Sequence, residues 1–321
     1  MATNMKIMFY MDWGLAITYL KPIYQYFQQT TDWELFFSAD DEISKEILQK
    51  KKYPTKARDA EYDWSICCDK MSICPSKNRI VVFHGIASKG QDYCKRIGIS
   101  KRIVNPTDIS IVPSGYYRKL YINKDGADKD KVIVGGISKF DTIKEIPPKN
   151  KIPKVLYAPT HNIQLSAAPV LKDSIYEIEN LTVHLHYWTR TNPKNLPIVK
   201  KDIYPIHDER EDITELMLHS DIVIADMGSV VLEAMALGKM VIQVVNPLYR
   251  EFYRQRVGEE HIDEIPEIDL PKRFAYQAHN IEEVKEIIKK YPEYKIPDFP
   301  IIEHIGNYET SKIIRDYISS R

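Results

Sequence analysis

The stretch HSDIVIADMGSVVLEAMALGKMVIQVV, His219 to Val245, decides the fold. Ile222 to Ala225 is short, apolar and unbroken, the pattern of a strand buried on both faces of a parallel sheet. Asp226-Met227-Gly228-Ser229 then reads as a tight turn. Val230, Val231, Ala234, Met235 and Leu237 recur at helical spacing until Gly238 stops the helix, and Met240 to Val245 is the next strand. Ligands of open α/β sheets sit beyond the carboxyl ends of strands, where this turn falls. A helix N-terminus there offers free N–H groups and partial positive charge to an anion. Gly228 would admit a phosphate close to the backbone, the Ser229 hydroxyl could donate to it, and Val230 carries a further N–H. Glu233, one helical turn deeper, could accept from two ribose hydroxyls. Taken locally, an ordinary helix start explains the same residues, with Ser229 as cap and Glu233 as a solvated first-turn acid.

Outward from this segment the same alternation recurs. Strands are expected at Lys6–Met11, Trp33–Ser38, Trp64–Cys68, Arg79–Phe83 and Lys131–Val134, with helices over Leu15–Gln28, where Pro22 marks a kink, and Asp41–Lys52. Prolines 147, 148 and 153 and lysines 144, 149, 151 and 154 then form an aperiodic stretch that suits a linker. Beyond it lie strands at Val155–Ala158 and Leu181–Tyr187, helices at Ile213–His219 and Ile281–Tyr291, and a last helix at Tyr308–Ser319. Alternating strands and helices imply parallel sheets covered on both faces. The expected class is α/β, two Rossmann-like domains with parallel sheets facing a central cleft. The expected division is an acceptor-side domain over 1–145, a nucleotide-donor domain over 146–305, and a C-terminal helix, 306–321, at the junction.

The 321 residues suffice for two such cores, and Lys+Arg and Asp+Glu both total 45. That balance argues against a nucleic-acid partner. Asp226, Glu233 and Lys239 interrupt the most apolar region, so it is not a membrane span. The start, MATNMKIMFYMDWG, lacks the pattern of a signal peptide. Cys67, Cys68, Cys74 and Cys94 form no CxxC pair and suit reduced thiols, so the expected location is cytoplasmic, with the inner face of the plasma membrane as an extension.

Other strand exits carry polar groups. Arg79–Phe83 runs into His84-Gly85, with Lys89 following; a histidine there is placed to act as a general base, or simply closes the strand with a backbone hydrogen bond. Val155–Ala158 ends in Pro159-Thr160-His161-Asn162, which could touch donor phosphates or form a plain polar turn. His184 and His186 are two apart, hence on one face of a strand. No acidic or thiol group completes a metal set, so no metal is expected; His186 is placed toward the cleft and His184 in the interior. Arg190, His207 and Asp226 are weaker candidates. Lys50, Lys51, Lys52, Lys56 and Arg58 form a basic cluster, read first as a solvated face and second as contact with anionic lipid or a polyanionic acceptor. Tyr19, Tyr24, Tyr26 and Phe27 read as core.

In this order the segments resemble the CDP-glycerol glycerophosphotransferase family, the teichoic-acid primases and polymerases and their capsule relatives. Val82-Phe83-His84-Gly85 resembles the family's Trp-His-Gly strand exit, and Val134–Asp141 (VGGISKFD) its Gly-x-Pro-Arg-x-Asp segment. Leu156-Tyr157-Ala158-Pro159-Thr160 matches its Leu-Tyr-Ala-Pro-Thr motif. Ser220-Asp221-Ile222-Val223-Ile224-Ala225-Asp226, then Ser229-Val230, resembles its Ser-Asp-x-x-x-x-Asp-Tyr-Ser-Ser-Val signature. Gly228 stands where the family keeps a serine, and His161-Asn162 where it keeps Trp-Arg.

The resemblance implies the GT-B fold and a transferase. It makes His84 the base for the acceptor hydroxyl, His186 and Ser229 binders of the donor phosphates, and Glu233 the ribose ligand. The implied reaction moves a glycerol-phosphate or related alditol-phosphate unit from a CDP-linked donor to a hydroxyl of a polyol-phosphate, glycan or lipid-linked acceptor. The CDP-linked donor is a substrate, no cofactor is held tightly, and a magnesium requirement is left open. Peripheral contact with an anionic membrane is a further expectation. The rival expectations are a GT-B glycosyltransferase using a nucleotide sugar and a non-catalytic nucleotide-sugar-binding partner in a polymer-synthesis complex.

Overall fold

The computed structural model describes residues 5–11, 13–58, 60–68, 76, 78–83, 108–186, 189, 213–298 and 302–321. The chain divides into two compact units. The described part of the first comprises residues up to 83, from 108 to Glu145, and from 302 to Arg321, and that of the second runs from Ile146 to 298. The last helix is part of the first unit.

The first unit is a six-stranded sheet of order β2-β1-β3-β4-β5-β6. Its strands are β1 (Lys6–Met11), β2 (Glu34–Ala39), β3 (Trp64–Cys68), β4 (Asn78–Val82), β5 (Ile109–Val112) and β6 (Val132–Val134). Every pairing is parallel, for example Phe9 opposite Phe37 and Ile66 opposite Ile80. Helix α1 (Ile17–Thr30) keeps Pro22 inside it and buries Tyr19, Tyr24, Tyr26 and Phe27, as expected of core residues. Phe9 stacks on Phe37 at 5.2 Å and meets Tyr24 edge-on at 5.7 Å. Helix α2 (Glu42–Lys50) starts on Asp41, whose carboxylate accepts from the Ser44 N–H at 2.9 Å. Helix α3 (Gly115–Leu120) follows β5. Cys67 and Cys68 are buried thiols in β3; Cys74 and Cys94 lie outside the described residues.

The second unit has the strand order β11-β10-β9-β7-β8, again all parallel. Its strands are β7 (Val155–Tyr157), β8 (Leu181–Val183), β9 (Ile222–Ala225), β10 (Met240–Val244) and β11 (Tyr276–Ala278). Its helices include α4 (Thr214–Leu218), α5 (Ser229–Ala236), α6 (Tyr249–Val257), α7 (Pro266–Phe274) and α8 (Ile281–Ile288), besides a single turn at Ala168–Leu171. One apolar cluster, running from Val155 and Ile175 through Ile224 and Ile242 to Val284, covers a face of the sheet. The order reverses between β7 and β9, the arrangement whose crevice holds ligands in doubly wound folds.

Two buried carboxylates, Asp221 and Asp141, fix the chain. Asp221 accepts from the N–H groups of Asn150 (3.0 Å) and Lys154 (2.9 Å), the Asn150 amide (2.9 Å) and the Tyr291 hydroxyl (2.9 Å). Burial alone would raise its pKa, but these donors hold it below the ordinary value. The proline-rich stretch expected as a linker is thereby tied to the second unit. In the first unit, Asp141 receives the N–H groups of Thr310 (3.1 Å) and Ser311 (2.8 Å) at the start of α9 (Glu309–Ser319). Burial pushes the Asp141 carboxyl up to about 6 despite those bonds. Among the described residues, no helix is long and apolar enough to cross a membrane.

Candidate active site at the reversal of the second sheet

The turn after β9 and the loop after β7 meet because β7 and β9 are neighbours, with Tyr157 opposite Ile224. Asp226 joins them. Its buried carboxylate accepts the N–H of Thr160 at 2.8 Å and that of Ala167 at 2.9 Å, both on one oxygen. Asp226 is therefore a positioning group that shapes the loop from 159 to 167. Asn246, just past β10, holds the same loop from the other side. Its amide donates to the carbonyls of Ile163 (2.9 Å) and Ser166 (3.0 Å). Neither anchor could be assigned from local pattern, since the partners lie 66, 59, 83 and 80 residues away.

Gly228 occupies the N-cap of α5 with no side-chain cap, and Ser229 is the first helical residue. The reading of Ser229 as the cap is thereby excluded. Gly228, Ser229 and Val230 are partly exposed at this helix start, and the Gly228 N–H donates to the Asp226 carbonyl at 2.9 Å, so an anion here would be met by N–H groups of the first turn of α5 rather than by that of Gly228. Gly228 has φ −143°, which any residue adopts. A Cβ there would meet Asp226 Oδ1 at 3.7 Å and Thr160 Cβ at 3.9 Å, ordinary contacts. The glycine is not a backbone necessity; it leaves open the space in which a side chain would stand.

Glu233 lies in α5 only 1% exposed, which excludes the solvated first-turn acid. On the far side of β7, the loop after β8 returns beside Thr160. His161 and His186 place their rings 4.3 Å apart at 35°. The expected strand over Leu181–Tyr187 ends at Val183, and beyond it His184 is buried while His186 is partly exposed. The His184 N–H donates to the Tyr157 carbonyl at 2.9 Å, extending the β7–β8 ladder by one bond. Burial, and Asp226 nearby, raise the Tyr157 hydroxyl well above its ordinary pKa. Behind the turn, Gln243 donates to the Met227 sulfur at 3.3 Å and to the Glu267 carbonyl at 2.9 Å, while the Tyr253 hydroxyl donates to buried Glu267 at 2.9 Å. This network under Met227 went unread because its members come from β10, α6 and α7.

The structure thus gathers Thr160, His161, His186, Gly228, Ser229, Val230, Glu233 and Asp226 around one strand reversal. His84, Gly85, Lys89, Arg190 and His207 lie outside the described residues. Among the described residues no group of three histidine, cysteine or acidic side chains could hold a metal ion.

A parallel sheet in each unit, with a helix N-terminus at the strand reversal of the second, is the architecture of the GT-B class. Residues 69–259 match the family model described as CDP-Glycerol:Poly(glycerophosphate) glycerophosphotransferase. That span is more than half of the chain, and the chain belongs to this family. Among solved structures it is similar to the wall teichoic acid polymerase TagF, at 16% identity and TM-score 0.67, covering 99% of this chain and 89% of that one. It is also similar to MnaA of S. aureus in a co-structure with UDP, at 14% identity and TM-score 0.61, covering 98% and 96%. A third is the UDP-GlcNAc 2-epimerase of Neisseria meningitidis bound to UDP-GlcNAc, at 14% identity and TM-score 0.59, covering 99% and 100%. No curated protein matches the chain by sequence.

Proposed function

We propose that the chain transfers a glycerol-phosphate unit from CDP-glycerol to an acceptor hydroxyl, with the second unit holding the donor and the first the acceptor. The observation that carries the reading is the uncapped start of α5 at the β7–β9 reversal, with Thr160 fixed beside it by Asp226. A diphosphate is the ligand suited to such a site, because backbone N–H groups and the helix dipole both favour anionic oxygens. A TagF variant soaked with CDPG is among the similar structures.

In this mechanism the N–H groups of the first turn of α5 and the Ser229 hydroxyl receive the donor phosphates beside the open space at Gly228, with Thr160 and the His161–His186 pair on the other flank. Glu233 takes the ribose hydroxyls. His84, which follows β4, accepts the proton of the acceptor hydroxyl as its oxygen attacks the β-phosphorus. The new P–O bond forms in line with the breaking bond to the bridging oxygen, and CMP departs with the charge that the helix terminus and His186 stabilise. Positioning and electrostatics supply the rate. The acceptor is a polyol-phosphate, glycan or lipid-linked hydroxyl, met at the cytoplasmic face of the membrane.

Incubation with CDP-glycerol, UDP-sugars or CMP-sugars, scored by nucleotide release, tests the reading. CMP release from CDP-glycerol alone is expected, lost in His84→Ala while calorimetric donor binding persists. Release from a nucleotide sugar instead, or a fully active His84→Ala, would overturn it.

A further inference from the structure

The basic cluster does not lie on a featureless face. Beyond the carboxyl end of β2, the edge strand of the first sheet, three of its members, Lys52, Lys56 and Arg58, line a cleft of about 620 Å3 together with Lys45, Asp40 and Gln49. Between residues 45 and 58 the chain carries six cations, Lys45, Lys50, Lys51, Lys52, Lys56 and Arg58, against the single acid Glu46. Asp40, Asp41, Glu42 and Asp59 flank that run.

The cleft is built rather than incidental. Asp40 receives the Tyr10 hydroxyl at 2.6 Å and Arg58 at 2.7 Å, which fixes the guanidinium at the rim. The N–H of Lys56 donates to the Phe37 carbonyl at 3.1 Å, and its ammonium lies 3.6 Å from the centre of the Phe36 ring. Of the cations lining the cleft, Lys45, Lys56 and Arg58 have acidic neighbours, Glu42 at 2.8 Å, Glu34 at 3.8 Å and Asp40 at 2.7 Å, whereas Lys52 forms no ion pair with described residues. Lys52 also sits where glycine is the favoured residue. It follows the C-cap of α2 with φ 56°, its N–H reaching the Gln49 carbonyl and that of Tyr53 the Leu48 carbonyl, both at 3.1 Å. A lysine held in the left-handed region against that preference is one of the residues that line the cleft.

We propose that this cleft binds a phosphodiester segment of the acceptor chain, away from the hydroxyl that reacts. The proposal rests on the reading of the protein as a glycerophosphotransferase. A concave site lined by separate cations, Gln49 and Asp40 suits a narrow chain that presents one phosphate at a time. A bilayer is flat, and a helix that lies on one needs an exposed apolar face; of the apolar residues of α2, Ile47 and Leu48 are buried in the unit and Ile43 is 37% exposed. In the sheet, β2 and β4 are three strand spacings apart, roughly 14 Å. A chain seated in the cleft would therefore run along the carboxyl edge of the sheet toward the strand that leads to residue 84.

The test is direct binding by the full chain, with three probes: a phosphodiester-linked glycerol oligomer, a neutral oligoglycerol of equal length, and phosphatidylglycerol vesicles. The phosphodiester oligomer is expected to bind, about tenfold more weakly in Lys52→Gly/Lys56→Gln, with a log–log salt slope shallower by about one to two. Lys52→Gly alone should melt no lower than the unaltered protein, which separates lost binding from lost folding. Undiminished oligomer binding by the double variant, equal binding of the neutral oligomer, or binding to vesicles alone would each overturn the proposal. CDP-glycerol binding, measured separately by calorimetry, reports on the donor reading. Donor binding with an indifferent cleft defeats this inference alone; oligomer binding at the cleft without CDP-glycerol turnover defeats the donor reading alone.

Discussion

Replacing Asp226 by alanine removes the single acceptor of two N–H groups, those of Thr160 at 2.8 Å and Ala167 at 2.9 Å. Each donor left unsatisfied in the interior costs about 1–3 kcal/mol, so the pair costs roughly 2–6 kcal/mol. Loss of the buried carboxylate offsets part of that, because a desolvated charge no longer has to be accommodated, which places the expected net loss near 3 kcal/mol. Asp226→Asn keeps a carbonyl oxygen for both donors and loses only the charge assistance, roughly 1–2 kcal/mol. Urea denaturation gives the global figure, read as a shift of midpoint at constant slope. Amide hydrogen exchange gives the local one: the amides of Thr160 and Ala167 should lose protection in the alanine variant before the β9 strand does. Donor binding should fall with them, since Thr160 flanks the phosphate site. Undiminished protection of both amides in Asp226→Ala would refute the role assigned to this carboxylate.

Three further outcomes follow from the packing. The Asp141 carboxyl titrates near 6 when folded, above the ordinary 3.8, so the folded state holds that proton more tightly than the unfolded chain does. Its contribution is therefore fully present below about pH 4 and is lost as pH rises through 6, by roughly 3 kcal/mol; Asp141→Asn should flatten that part of the curve of urea midpoint against pH. The buried pair of Arg79 with Asp108, bonded at 3.0 and 2.6 Å, predicts a loss of about 3–5 kcal/mol for Asp108→Asn, with Arg79→Met/Asp108→Leu less damaging than that single change in the same denaturation assay. Gly228→Ser should leave thermal stability unchanged or raise it by a few tenths of a kcal/mol, because the position is open, unstrained and a helix N-cap; a marked fall in the melting temperature would contradict the geometry.

The strands legible in the sequence are those whose apolar runs need no partner to be recognised. Lys6–Met11, Trp64–Cys68 and Ile222–Ala225 have the expected limits. The strands and helices left unread lack a local signal: β11 is three residues, Tyr-Gln-Ala, and α7 carries Pro266 and Pro271. The glycine–serine turn between β9 and α5 could be located because strand, turn and helix are adjacent in the chain. What Asp226 does, and that Glu233 is buried, could not be read there.

The sequence by itself determined the α/β class, the family and the turn that starts α5, since each rests on order and spacing along the chain. Only the tertiary structure decided that Thr160 is held by Asp226, that His161 lies against His186, and that Lys52, Lys56 and Arg58 line a cleft. Those facts depend on which strands become neighbours. Parallel pairing sets β7 between β8 and β9, and so joins loops that the sequence keeps tens of residues apart.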